Sequence, residues 1–316
     1  MLSEEELKLH CRHILSQRRI KNRIVILCEG VRSQSGERLS PQLYGKMEEL
    51  PDANFYNACV PSYWTQKRPQ FFNCGDRTDT LNTYSKLLEI NDREPEISFL
   101  TSDLLFALVD VDLCPEKIEG YEFADTEDIF HDLYRNLCVR IDRLPKHRIW
   151  VTGFKHKEAY FINPDLQIFF DEYSLPIMYR SDRLKLDNLY RDMADELCND
   201  ADLQNNLPIA SRRIQHCQDL ECSDLHKLSQ SWRSQWEITA NYSNNLVVPL
   251  LAIAKSKPYW KEDIQPDEFF SRSASVFRDA LSLEIAKKFY ARQDGAECLH
   301  YHLPCFFKYL YDEFRS

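Results

Sequence analysis

The stretch RIVILCEG, Arg23–Gly30, decides how the chain is read. Ile24 to Cys28 is wholly apolar and rich in β-branched residues, the pattern of a strand buried on both faces of a parallel sheet. It runs straight into Glu29. One reading makes Glu29 an ordinary acid where a strand meets solvent. The other makes it a metal ligand at a strand tip.

Working outward, the chain repeats this arrangement. Leu104 to Val109, LLFALV, is a second such run and ends in Asp110-Val111-Asp112. Arg148 to Thr152, RIWVT, and Ala53 to Val60, ANFYNACV, complete four expected strands. Helices are expected between them. Ser3 with Glu6 makes a capping box that opens a helix from Glu4 to Arg18. Ser40-Pro41 opens another to about Leu50. Asp76 to Ile90 and Asp125 to Leu144 carry apolar residues at helical spacing. Pro61 to Cys74 is expected to be irregular. Strands alternating with helices imply a parallel α/β sheet with right-handed crossovers. Ligands of such sheets bind beyond the carboxyl ends of the strands. Glu29, Asp110 and Asp112 should therefore gather at one edge.

From about Pro176 the pattern becomes helical, with segments at Asp182–Cys198, Ile209–Trp236 (broken), Pro266–Arg292 and Phe306–Phe314. The expected organisation is an N-terminal helix over 1–22, an α/β domain over 23–172 and an all-helical C-terminal domain over 173–316.

Bulk properties narrow the function. The 316 residues are 43% hydrophobic and 28% charged, enough for a sizeable core. Only 7 glycines occur, and neither a P-loop nor a G-x-G-x-x-G is present. The net charge of −10 argues against a generally basic nucleic-acid surface, although metal-holding carboxylates themselves raise the negative count. No run of 18 apolar residues predicts a membrane span, and MLSEEELKLH is unlike a signal peptide. Eleven cysteines without C-x-x-C pairs are expected as reduced thiols in the cytoplasm.

Three carboxylates at one edge repel one another unless a cation lies between them. Oxygen ligands select Mg²⁺ or Mn²⁺, with waters and substrate phosphates completing the shell. In extended chain, Asp110 and Asp112 point to the same side and can face one ion. Helix capping is the competing reading of this pair.

The Glu-Gly that ends VILCEG, followed two crossovers later by the Asp-x-Asp of FALVDVD, resembles the TOPRIM domain of topoisomerases, bacterial primases and OLD-family nucleases. The resemblance covers roughly residues 20–165, about half the chain. It implies that Glu29 is a metal ligand or general acid/base, and that Asp110 and Asp112 hold Mg²⁺. WVTGFKHKEAYFI, Trp150–Ile162, resembles the segment after the fourth strand in OLD-like, defence-associated members. By that resemblance Glu158 joins the site and Lys157 contacts a phosphate; a surface acid and a solvated lysine are the alternatives. Glu29 and Asp110 stand 81 positions apart, more than compact TOPRIM domains need. No ATPase motif is present, so an ATPase or sensor would be a separate partner, and self-association is compatible with the fold.

The expected function is Mg²⁺-dependent cleavage of DNA or RNA, with an anti-phage effector role by analogy with the fold alone. A non-catalytic scaffold binding a protein through the helical half is the main alternative, and a phosphotransferase acting on a small nucleotide is a third. Lys67 and Arg68 among the aromatics of Pro61–Cys74 are candidates for nucleic-acid contact. The clusters His216-Cys217/Cys222/His226 and Cys298/His300/His302/Cys305 have the residue types of zinc sites. Ordinary thiols and scattered histidines explain both, and no zinc is expected.

Overall fold

A computed structural model describes residues 2–31, 51–238, 244–267, 273–294 and 300–314. The helix expected from Ser40 to Leu50 lies outside these residues.

Strands β1 (Val25–Cys28), β2 (Gln70–Asn73), β3 (Leu105–Val109) and β6 (Ile149–Val151) form one sheet in the order β2-β1-β3-β6, all parallel. Every residue of β1, β3 and β6 is buried, as uninterrupted apolar runs require in a sheet covered on both faces. The expected parallel α/β architecture is present.

One strand falls elsewhere than expected. Ala53 to Val60 is not a strand; it belongs to helix α2 (Pro51–Cys59) and its C-terminal exit. The second strand is QFFN, Gln70–Asn73, within the stretch read as irregular. Ala53, Tyr56 and Val60 are buried at spacing i, i+3, i+7, so one helical face meets the core.

Helix α1 (Glu4–Leu15) begins at the expected capping box, with the Ser3 hydroxyl and Glu6 carboxylate each bonded to the other's backbone N–H. It packs on α3 (Arg77–Arg93), which covers one face of the sheet. Helix α4 (Thr126–Leu133) is shorter than expected. The chain then forms a hairpin, β4 (Tyr134–Arg135) and β5 (Cys138–Val139), and 3₁₀ turns over Ile141–Lys146. Asn136 and Leu137 turn this hairpin with φ of 51° and 61°, the backbone of a tight two-residue loop.

The C-terminal half is not all-helical. β7 (Ile177–Tyr179), β8 (Asp182–Arg183) and β9 (Ile264–Pro266) form an antiparallel sheet in the order β8-β7-β9. The helices of this half include α5 (Leu186–Asp195), α6 (Leu207–Arg213), α7 (Leu225–Ile238), α8 (Asn244–Ile253) and α9 (Ala274–Lys288), of which α9 packs on β9.

The last helix, α10 (His302–Phe314), returns to cover the other face of the parallel sheet. Phe306 stacks on Trp150 of β6 at 4.4 Å and approaches Phe106 of β3 at 6.1 Å; Phe307 reaches Phe71 of β2 at 6.0 Å. The buried His302 is bonded to the Leu137 carbonyl at 2.9 Å through Nε2 and to the Tyr160 hydroxyl at 3.0 Å through Nδ1. The carbonyl can only accept, so Nε2 carries the proton and Nδ1 accepts from Tyr160. Gly153 must be glycine, because a Cβ there would enter the His302 ring. One hydrophobic cluster runs through both halves of the chain.

Candidate active site

The site begins where β1 and β3 stop. Gly30 has φ +150°, and its amide and carbonyl exchange bonds of 2.8 and 3.0 Å with Gly75 beyond β2. A Cβ on Gly30 would lie 2.7 Å from Asn73 and from Asp52, so glycine lets these chains close over the strand ends.

Glu29 and Asp110 follow the last residues of the central strands and are partly exposed. The Asp110 amide donates to Glu29 Oε1 at 2.7 Å, which holds the two acids together. The Lys157 amide donates to Asp110 Oδ2 at 3.1 Å. Asp110 Oδ1 is buried without a hydrogen-bond partner. Burial pushes the Glu29 carboxyl up to about 7 against the pull of the Asp110 amide, Arg77 and Lys157. Burial, then the charges of Glu29 and Glu158, push Asp110 well above the usual carboxylate range. The Glu29 charge thus opposes ionisation of Asp110, while the Asp110 amide favours ionisation of Glu29.

Asp112 lies at the same edge, and its charge acts on both acids. Its Oδ1 accepts from the Leu113 amide at 2.7 Å. No helix follows it, so the capping reading fails. Glu158 is buried on the 3₁₀ turns after β6 (Lys157–Ile162). Burial raises its carboxyl, but Lys157, a backbone amide, Lys261 and His156 outweigh that and hold it below the ordinary value. Lys261 Nζ stands 3.6 Å from it.

The Lys157 ammonium is ion-paired with Asp52 in the first turn of α2. Burial lowers its pKa. His156 is kept neutral by burial and by Lys155, its pKa down to about 4, and its Nδ1 is buried without a partner. Lys155 is fully buried and bonded to Asp200 at 3.1 Å.

The structure thus brings Glu29, Asp110, Asp112, Lys157 and Glu158 to one edge. Sequence reading missed Asp52, although an acid in the first turn of a helix beside a glycine-lined strand end is a usable signal once the helix is recognised. It also missed Arg213, considered below. Lys67 and Arg68 precede β2, so they stand at the opposite edge of the sheet; Arg68 is bonded to the carbonyls of Trp64 and Asn57. Cys298 lies outside the described residues. His300 contacts Cys138 Sγ at 3.5 Å, and His302 and Cys305 are in the core. Among the described residues no three His, Cys, Asp or Glu side chains stand close enough to cage a metal unaided, and no helix is long and apolar enough to cross a membrane.

No family model, curated protein or solved structure matches the chain.

Proposed function

We propose that the chain is a TOPRIM-like hydrolase of nucleic-acid phosphodiesters that depends on Mg²⁺ or Mn²⁺ and works at the Glu29–Asp110 edge. The observation that carries this reading is Asp110 Oδ1, a buried and unpartnered carboxylate oxygen beside the second, partly exposed acid Glu29. Two such carboxyls need a proton or a cation between them. Mg²⁺ is commonly bound by one or two carboxylates, with waters and substrate phosphates supplying the rest. Glu29 and Asp110 therefore fit the ion without a third protein ligand.

The ion would supply charge neutralisation at the phosphate and a more acidic bound water. The chain's own groups do the rest. Glu29 and Asp110 would hold the ion, and Asp112 and Glu158 would keep the edge negative. In the metal-free protein the Glu29 carboxyl, raised to about 7, keeps a proton that the ion would displace on binding. Lys157, released from Asp52, would take a phosphate oxygen.

One observation favours the non-catalytic alternative. The Lys157–Asp52 pair already sets a cation at the acidic edge, as a scaffold with no need of metal would. Calorimetric titration of Mg²⁺ and Mn²⁺ into the wild type, Glu29→Gln and Asp110→Asn, with plasmid and tRNA cleavage on the same samples, separates the two. Binding and cleavage that appear in the wild type and vanish in both variants are expected. A wild type that neither binds nor cuts leaves the scaffold reading.

A further inference from the structure

Arg213 closes α6 and is buried among groups from three distant parts of the chain. Nη1 donates to the Val111 carbonyl at 2.8 Å, and Nη2 to the Asp112 carbonyl at 2.7 Å. Nε and Nη2 hold the Glu127 carboxylate of α4 at 3.1 and 2.5 Å. A longer bond of 3.4 Å reaches the Ala252 carbonyl in α8, and the guanidinium lies 5.0 Å from the Phe130 ring centre.

The two carbonyls it takes belong to the residues directly after Asp110. The amides of the same turn are taken from the other side. The Asp110 amide goes to Glu29 at 2.7 Å, and the Val111 amide to Thr152 Oγ1 at 3.1 Å. The turn is therefore tied by its N–H groups to the parallel sheet and by its C=O groups to the C-terminal half. A buried ion pair is a poor way to gain stability alone, since apolar residues of similar volume often do as well or better. A planar guanidinium does what they cannot: it fixes two carbonyls and a carboxylate in one geometry.

We propose that Arg213 is a positioning residue of the acidic edge, through which the C-terminal half holds Asp110 against Glu29. The inference rests on that edge being the working site. Arg213→Lys keeps the charge and the partner Glu127, but one ammonium cannot span both carbonyls and the carboxylate.

Amide hydrogen exchange on the full chain, read by NMR, tests it. In Arg213→Lys the amides of Asp110 and Val111 should exchange at least about tenfold faster relative to that of Ala107 inside β3, because the lesion is local. Equal acceleration at all three, or none, makes Arg213 a fold stabiliser only and overturns the proposal. If the variant does not fold, exchange of the wild type in mild denaturant decides. The turn amides should open together with those at the end of α6. A turn that opens while α6 stays closed overturns the inference. Mn²⁺ titration of the same samples keeps the two readings apart. A wild type that binds no metal removes the proposed function, while the exchange pattern still decides what Arg213 does.

Discussion

Glu29 and Asp110 are bonded neighbours whose carboxyls are both raised above their ordinary values, chiefly by burial, and this has a consequence for stability. The folded Glu29 carboxyl titrates near 7, above its ordinary 4.5. Between those values the folded state keeps a proton that the unfolded state releases. Its stabilising contribution is full below about pH 4.5 and is lost as pH rises through 7. Glu29 alone accounts for up to about 3 kcal/mol, and Asp110 acts in the same direction. Urea unfolding at pH 5 and pH 8 should show a metal-free wild type that loses more stability on going to pH 8 than Glu29→Gln does. Equal losses would mean that the carboxyl is not raised. Added Mn²⁺ should restore stability at pH 8, because a ligand of the folded state stabilises by mass action. These two acids were legible in the sequence because each directly follows an apolar strand. Asp52 and Arg213 were not, since what makes them matter are partners about 100 positions away.

Elements followed their local signals where those signals were strong and departed where tertiary burial decided. β1, β3 and β6 are unbroken apolar runs and lie where the pattern put them. α1 starts at its capping box. ANFYNACV holds alternating and helical spacings at once, and short apolar runs of this kind cannot be assigned by periodicity alone. The β4–β5 hairpin turns on Asn136-Leu137 without glycine, so the usual loop signature is missing. The three-stranded sheet was invisible because β9 joins β7 from more than 80 residues away. The role of α10 was also hidden, because an aromatic helix carries no local sign of the surface it will cover. Phe306 is 1% exposed and touches two strands. Phe306→Ala should therefore destabilise the fold by about 3–5 kcal/mol, measured by urea unfolding. A loss below about 1 kcal/mol would mean that the helix does not cover the sheet as described.

At the scale of the whole molecule, a single core joins segments that the sequence divides near residue 172. His302 is fixed to Leu137 and Tyr160, Arg213 to the turn after β3, and Lys155 to Asp200. Calorimetry should record one unfolding transition for the metal-free chain, with calorimetric and van't Hoff enthalpies in agreement. Two resolved transitions, or a stable fragment ending near residue 172 after limited proteolysis, would contradict a shared core. The aromatic cover of the sheet has a further consequence, during synthesis. The strands of the parallel sheet are complete at Val151, whereas α10 begins at His302. At about 5–20 residues per second, the ribosome needs roughly ten seconds or more to deliver that helix. Until then Phe71, Phe106 and Trp150 have no lid, and the nascent chain offers chaperones a greasy, strand-forming surface that the finished protein hides.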